Sequence, residues 1–233
     1  MTTQLPLFPL TTALVPGLVL PLHIFEPRYR MMVEELLAKP EDEREFGIVA
    51  VRERTVDVSE TSPGSPSPAS DLYPVGVTAT LRQAERLDDG RYDIIAIGGR
   101  RFRIVDVDRS APLLRAVIDF LPEPEVDPSD PVVSLQTSRA AAAFDRYRAA
   151  LGGRLAEERD EDEQVPTDPV VLGYLITAAL VVDSDTRQGL LASPDTISRL
   201  KACTRILGQE TAMISALGAV PAIDLLQPNS SVN

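Results

Sequence analysis

Apolar residues between Leu5 and Arg30 come in short runs that proline keeps interrupting. The stretch LPLFPLTTALVPGLVLPLHIFEPRYR carries five prolines and one glycine in 26 residues. Proline fixes φ and removes a backbone donor, so neither a helix interior nor a central strand accommodates five of them. Too broken to be one element or to cross a membrane, the segment is expected to be held by tertiary contacts and to build a shaped surface. Helical spacing starts at Pro27, a residue suited to a first turn, and runs through Tyr29, Met32, Val33, Leu36 and Leu37.

Past that helix the pattern becomes strand-like. Phe46–Val51 reads as a buried strand, and Val75–Leu81 mixes small and β-branched residues. Asp88-Asp89-Gly90 is a hairpin turn signal, followed by Tyr92–Ile97. Gly98-Gly99 predicts a bend between two strands, the second being Phe102–Val107, and Leu114–Phe120 closes the series. Between them, TSPGSPSPAS (61–70) holds no large apolar residue and is expected to be a mobile loop.

LPEPEVDPSDP (121–131), with four prolines and four acids, marks a boundary after which the period is helical. Val133, Thr137, Ala140, Phe144, Tyr147 and Leu151 form one apolar stripe. The acidic run 157–163 reads as solvated. Asp168-Pro169 opens a second helix with Leu172, Leu175, Ile176, Ala179 and Leu180 as its apolar residues. A short helix is expected over Ser184–Leu191. Ser193-Pro194-Asp195 then caps a last helix carrying Ile197, Leu200, Leu207, Ile214 and Leu217 inward, which Pro221 ends. The expected organisation is a β part over 1–121, a helical part over 122–220 and a disordered tail over 221–233.

Composition narrows the chemistry. A formal net charge of −12 repels polyanions. The basic residues are almost all arginine, with only Lys39 and Lys201 as lysines. No segment reaches the length of an apolar membrane span, and a single cysteine, Cys203, fits a reducing cytoplasm. With His23 as the only histidine, neither a Ser–His–Asp arrangement nor a zinc site of nitrogen and sulfur ligands is expected within the chain. Lys39 beside an acidic run and Lys201 beside Arg199 and Arg205 are poor general bases. Gly98-Gly99-Arg100-Arg101 lacks the third glycine and following helix of a nucleotide loop, and alternate side chains of the cluster Arg100, Arg101 and Arg103 are expected to face solvent or to pair with Asp106 and Asp108. No P-loop pattern occurs.

With these residues in view, the chain resembles the Lon N-terminal (substrate-binding) domain family. The likeness lies in LPLFPL (5–10), Pro16-Gly17, LPLHIFEPRYRMMV (20–33), Val75-Gly76, DGRYDIIAIGGRRFRI (89–104), LPE (121–123) and SPDTISRLKACTRIL (193–207). It implies an α+β fold, a PUA-like β-barrel followed by a C-terminal helical bundle. In full-length members this region binds and sorts polypeptide substrates for an ATPase and a Ser–Lys peptidase domain, neither of which is recognisable in this chain. The expectation is a non-catalytic, cofactor-free cytoplasmic module that binds unfolded or exposed hydrophobic polypeptide segments, as an adaptor in protein quality control. Candidate contacts are Phe8, Pro9, Leu10, Pro16, Leu18, Phe25 and Tyr29 in an apolar groove at the barrel–helix junction, with Glu26 and Arg28 anchoring the peptide backbone. RNA binding, known for PUA-like barrels, is the alternative, and charge argues against it. An unrecognised hydrolase is a third reading, for which no nucleophile–base pair is visible.

Overall fold

A strand with two prolines runs through the middle of the sheet. Strand β1 (Thr3–Leu10) lies between β3 (Glu45–Ala50) and β6 (Arg115–Phe120). It succeeds because it changes partner halfway. Thr3–Pro6 pair antiparallel with β6, and Leu7–Leu10 pair parallel with β3. The Leu7 N–H donates to the Leu114 carbonyl and the Leu10 carbonyl accepts from Val51, which sets the phase of the backbone. Pro6 therefore turns its missing donor toward β3 before that pairing begins, and Pro9 turns its own toward β6 after that pairing has ended. The proline-broken stretch is thus not one element: residues 3–10, 19–24 and 27–37 fall in three, and β1 carries only two of the five prolines.

The computed structural model describes residues 3–52, 72–152 and 165–217. The expected loop 61–70, the acidic run 157–163 and the tail 221–233 lie outside the described residues. Among the described residues, six strands and five α-helices make a mixed α+β protein, divided into two units: Met1–Pro122 with Ser184–Gln188, and Glu123–Asp183 with Gly189–Asn233.

In the first unit the sheet order is β2 (Val19–Ile24), β5 (Tyr92–Asp108), β4 (Val75–Arg86), β3, β1, β6, and β6 pairs again with β5. The ladder thus returns on itself through five strands, with β2 appended to the first half of β5. The predicted break at Gly98-Gly99 is absent, since β5 is one strand of 17 residues. The glycines instead mark a bulge. Gly99 and Arg100 together face Thr78, whose hydroxyl accepts from the Arg100 N–H at 3.0 Å. Further register shifts, between Leu81 and Gln83 on β4 and between Ile104 and Asp106 on β5, bend the strands so that β5 serves three neighbours. Arg101 is buried and donates to the Pro122 carbonyl, whereas Arg100, 3.6 Å over the Phe120 ring, and Arg103 are exposed. Helix α1 (Pro27–Leu37) starts at its proline as predicted and buries Tyr29, Met32, Val33 and Leu36.

In the second unit α2 (Pro131–Gly152), α3 (Pro169–Ala179) and α5 (Thr196–Leu217) share one core, which also takes Leu190 from the end of α4 (Ser184–Leu191). Asp168 caps α3 by accepting from the Val170 and Val171 N–H groups. Of its apolar residues Leu175 and Ala179 are exposed, while Gly173, Tyr174 and Thr177 are buried. Asp195 caps α5 by accepting from Ser198 at 2.7 Å, a bond that holds its carboxyl below the usual range.

That inward face of α3 meets an arginine. Arg199 on α5 is fully buried, with Nη1 at 3.1 Å from Glu123 Oε1 and its guanidinium carbon 4.0 Å over the Tyr174 ring. The Tyr174 hydroxyl donates to Glu123 Oε2, and the Thr196 hydroxyl donates to Oε1 at 3.3 Å. One carboxylate from the proline-rich boundary thus ties α3 to the first turn of α5.

Candidate functional site

The nine sequence candidates fall into an inner and an outer set. Phe8 and Tyr29 are interior, at 8% and 6% exposure, with ring centroids 4.3 Å apart and Phe46 edge-on to Phe8. Burial pushes the Tyr29 hydroxyl above its ordinary pKa, with Arg28 opposing and Glu26 adding to the rise. Pro9, Leu10 and Pro16 are half-buried. Glu26 and Arg28 are occupied with each other, Arg28 Nη2 lying 2.7 Å from Glu26 Oε2, and Arg28 also covers the Tyr29 ring at 4.6 Å. Leu18 and Phe25 are open, at 41% and 50%. A concavity of about 520 Å³ elsewhere in this unit, lined by Leu72, Tyr73, Pro74, Ile104, Asp106 and Arg109 among others, contains none of the nine.

Phe25 belongs to a larger face. Strand periodicity of two places Val19, Pro21, His23 and Phe25 on one side of β2, and register adds their opposites Ile97, Ile95 and Asp93 on β5. Val19 is 56% and Ile95 36% exposed, whereas Ile24, Ile94 and Ala96 on the other side are buried. The outer face is thus apolar for most of its length. Val19, Pro21 and Ile95 were not among the sequence candidates. The stretch 18–25 contains one polar residue, so the composition of the strand gives no alternation from which to tell the open side.

Polar groups bound this face at one end. His23 Nδ1 lies 2.6 Å from Asp93 Oδ1, and Arg91 Nη1 lies 3.1 Å from His23 Nε2. An arginine only donates, so Nε2 must accept, and the proton sits on Nδ1, directed at Asp93. Asp93 thus accepts a hydrogen bond from the imidazole. Arg91 itself is paired with Asp89 at 2.6 Å. His23 also stacks on Phe25, at 6.3 Å between ring centroids. Both ring nitrogens are therefore engaged in holding the end of the hairpin.

No cluster of three or more His, Cys, Asp or Glu suited to a metal occurs among the described residues. The Cys203 thiol is fully buried, and burial raises its pKa to about 11 from an ordinary 9.0. A group whose folded pKa is raised favours its protonated form. Its contribution, on the order of 2–3 kcal/mol, is therefore complete below pH 9 and is lost as pH rises through 11. We expect native protein to resist thiol reagents at pH 8, with reaction appearing only in denaturant. Between pH 9 and 11 the stability of native protein should fall more steeply than that of Cys203→Ala, as read from urea midpoints. Parallel curves for the two would show that the thiol is not sequestered.

Comparison with known proteins gives a consistent family. The model of the ATP-dependent protease La (LON) substrate-binding domain matches residues 4–209. Lon protease 1 of Thermus thermophilus is 28% identical over 207 residues, which cover 88% of this chain and 24% of that protein. The Escherichia coli Lon protease is 25% identical over 199 residues, covering 85% and 24% respectively. The chain thus spans about a quarter of the length of the curated relatives it matches. Among solved structures, the N-terminal domain of a Mycobacterium avium complex Lon protease superposes with a TM-score of 0.60 at 22% identity, covering 90% of this chain and 98% of that one. A Lon N-terminal domain protein from Xanthomonas campestris gives 0.58 at 22% identity, covering 88% and 98%. Among the described residues no helix is long and apolar enough to cross a membrane.

Proposed function

The chain belongs to the ATP-dependent protease La (LON) substrate-binding domain family, and from that premise we propose that it binds exposed apolar segments of polypeptide as a non-catalytic module. One observation carries the reading. Val19, Pro21, Phe25 and Ile95 are exposed apolar residues on and beside paired strands whose other side holds the buried Ile24, Ile94 and Ala96. Contiguous apolar patches of a few hundred Å² on a protein surface are commonly binding sites. Burying roughly 300 Å² at about 25 cal/mol per Å² yields about 7 kcal/mol before the cost of association, which is of similar size. The result is weak, reversible holding, which suits a module that presents a chain to something else.

On this reading the ring of strands is a PUA-like barrel, the helices of the second unit are its C-terminal bundle, and the division falls near residue 121. The module acts as an adaptor in cytoplasmic protein quality control and needs no cofactor. Leu18 and Phe25 make direct contact, and the paired Glu26 and Arg28 frame it.

The test is a titration of a permanently unfolded polypeptide, reduced and carboxymethylated lactalbumin, followed by fluorescence anisotropy. Phe25→Ala is expected to weaken binding about fivefold or more while leaving the thermal midpoint nearly unchanged, as befits a half-exposed position. Absence of binding by the native protein, or equal loss of binding and stability in the variant, would overturn the proposal.

A further inference from the structure

The backbone beside the apolar face points to how a polypeptide is held. The Gly98 N–H donates to the Leu18 carbonyl at 2.9 Å, and this fixes the phase of β2 against β5. Leu20, Leu22 and Ile24 turn their N–H and C=O groups toward β5. Val19, Pro21 and His23 turn theirs the other way, and among the described residues β5 is the only strand paired with β2. The outer edge of β2 therefore presents five ladder groups: N–H and C=O at Val19, C=O at Pro21, and N–H and C=O at His23. These are the same residues whose side chains form the apolar face.

We propose that the bound polypeptide adds to the sheet as a further strand, antiparallel to β2, with a basic residue near its N-terminal end. The proposal rests on the polypeptide-binding reading and says which segments bind and in what form. Main-chain bonds to Val19, Pro21 and His23 tolerate many sequences, while alternate side chains of the guest lie over the apolar face. Charge selects the end. The His23 end carries Asp93, 55% exposed, and its Cα neighbour on β4 is the exposed Glu85. An added strand lies two strand spacings, about 10 Å, from β5, within reach of a lysine or arginine leaning across β2. Because the guest runs antiparallel, its residues beside His23 are its N-terminal ones.

Pro21 argues for a foreign segment over a second copy. Two β2 edges pairing about a two-fold axis would each bring a proline into an interface of five residues, whereas a proline-free guest meets one missing donor. Proline on an edge strand is a recognised guard against self-pairing.

The test uses the full chain and a capped ten-residue peptide of alternating leucine and threonine with one lysine at its N-terminal end. Methylating the three alternate peptide nitrogens that face β2 should weaken binding at least tenfold, and methylating the intervening ones should not. Hydrogen exchange at the Val19 and His23 amides should slow on binding. Asp93→Asn, which keeps a partner for His23, should remove the preference for lysine over glutamate at the peptide end. If the parent peptide binds with neither methylation register mattering and no slowing at Val19 and His23, strand addition is wrong while polypeptide binding stands. If peptide and unfolded lactalbumin both fail to bind, the underlying reading fails. Protection of the β2 edge in a peptide-free dimer would assign the edge to a second copy and overturn the proposal.

Discussion

Glu123→Ala is expected to lower the stability of the second unit by about 3–5 kcal/mol, the usual cost of stripping the partner from a buried charge. Arg199 has no exposed surface, and Glu123 is the only carboxylate with which it forms an ion pair among the described residues. Its Nε reaches the Leu190 carbonyl only at 3.4 Å, and Nη2 has no hydrogen-bond partner. Removing the carboxylate also takes away one acceptor shared by the Tyr174 and Thr196 hydroxyls. The converse change is milder. In Arg199→Met, Glu123 keeps both hydroxyls, and with its side chain 29% exposed it can draw on water. That variant should lose about 1–2 kcal/mol, because the carboxylate left behind is not a buried, uncompensated charge. At roughly 2–4 °C per kcal/mol for a chain of this size, Glu123→Ala should melt about 6–20 °C early. Ellipticity at 222 nm, dominated by the helices, is the appropriate probe. Equal losses in the two variants, or less than about 1 kcal/mol for Glu123→Ala, would show that the carboxylate is not what holds Arg199.

A single methyl at Gly76 should do comparable harm to the first unit. A Cβ there would stand 2.5 Å from the Ile48 carbonyl oxygen and 2.5 Å from Cζ of Phe102. At Gly47 the nearest atoms are side-chain ones, Leu7 Cδ2 at 2.8 Å and Phe102 Cζ at 3.0 Å. Gly76→Ala is expected to cost about 3 kcal/mol and Gly47→Ala about 1–2, within the range for overpacked cores. Shortening Phe102 to leucine separates the two causes. It should relieve Gly47→Ala, giving a coupling of about 1 kcal/mol in a double-mutant cycle. It should do little for Gly76→Ala, because Ile48 is held by its pairing opposite Val77 and its carbonyl cannot retreat. Full rescue of Gly76→Ala by Phe102→Leu, measured by urea denaturation, would show that the ring and not the strand backbone sets the limit.

What could be read from the sequence was what local chemistry decides. Pro27 at the head of α1, Asp168-Pro169 at α3 and Ser193-Pro194-Asp195 at α5 are short-range signals, and each helix begins where they stand. The turn at Asp88-Asp89-Gly90 also forms, with Gly90 at φ 80° and the Leu87 N–H bonded to the Arg91 carbonyl. Features that depend on distant partners were not legible. Pro6 and Pro9 argue against a central strand until one knows that β1 changes neighbour between them. The bulge at Gly99 depends on the Thr78 hydroxyl, 21 residues away. Arg199 looks like a surface cation because the acid that neutralises it lies 76 residues earlier, in a proline-rich stretch that reads as a boundary. The candidate site divides in the same way. The sequence pointed to the segment 8–29, but which residues of it look outward depends on β5, and Ile95 had no mark of its own.

The partner change in β1 also has a consequence for biosynthesis. Thr3 pairs with Ile118, 115 residues downstream, and Leu7 with Gly47. At 5–20 residues per second, the ribosome delivers β6 roughly 6–23 s after β1. For that interval an apolar hexapeptide, LPLFPL, waits with its first half or all of it unpaired. Such a run would ordinarily seed aggregation between nascent chains, but Pro6 and Pro9 leave gaps in any continuous ladder it could form with a copy of itself. The prolines that the finished sheet accommodates by switching neighbours thus also serve as gatekeepers, keeping the unfinished chain available for its own later strands.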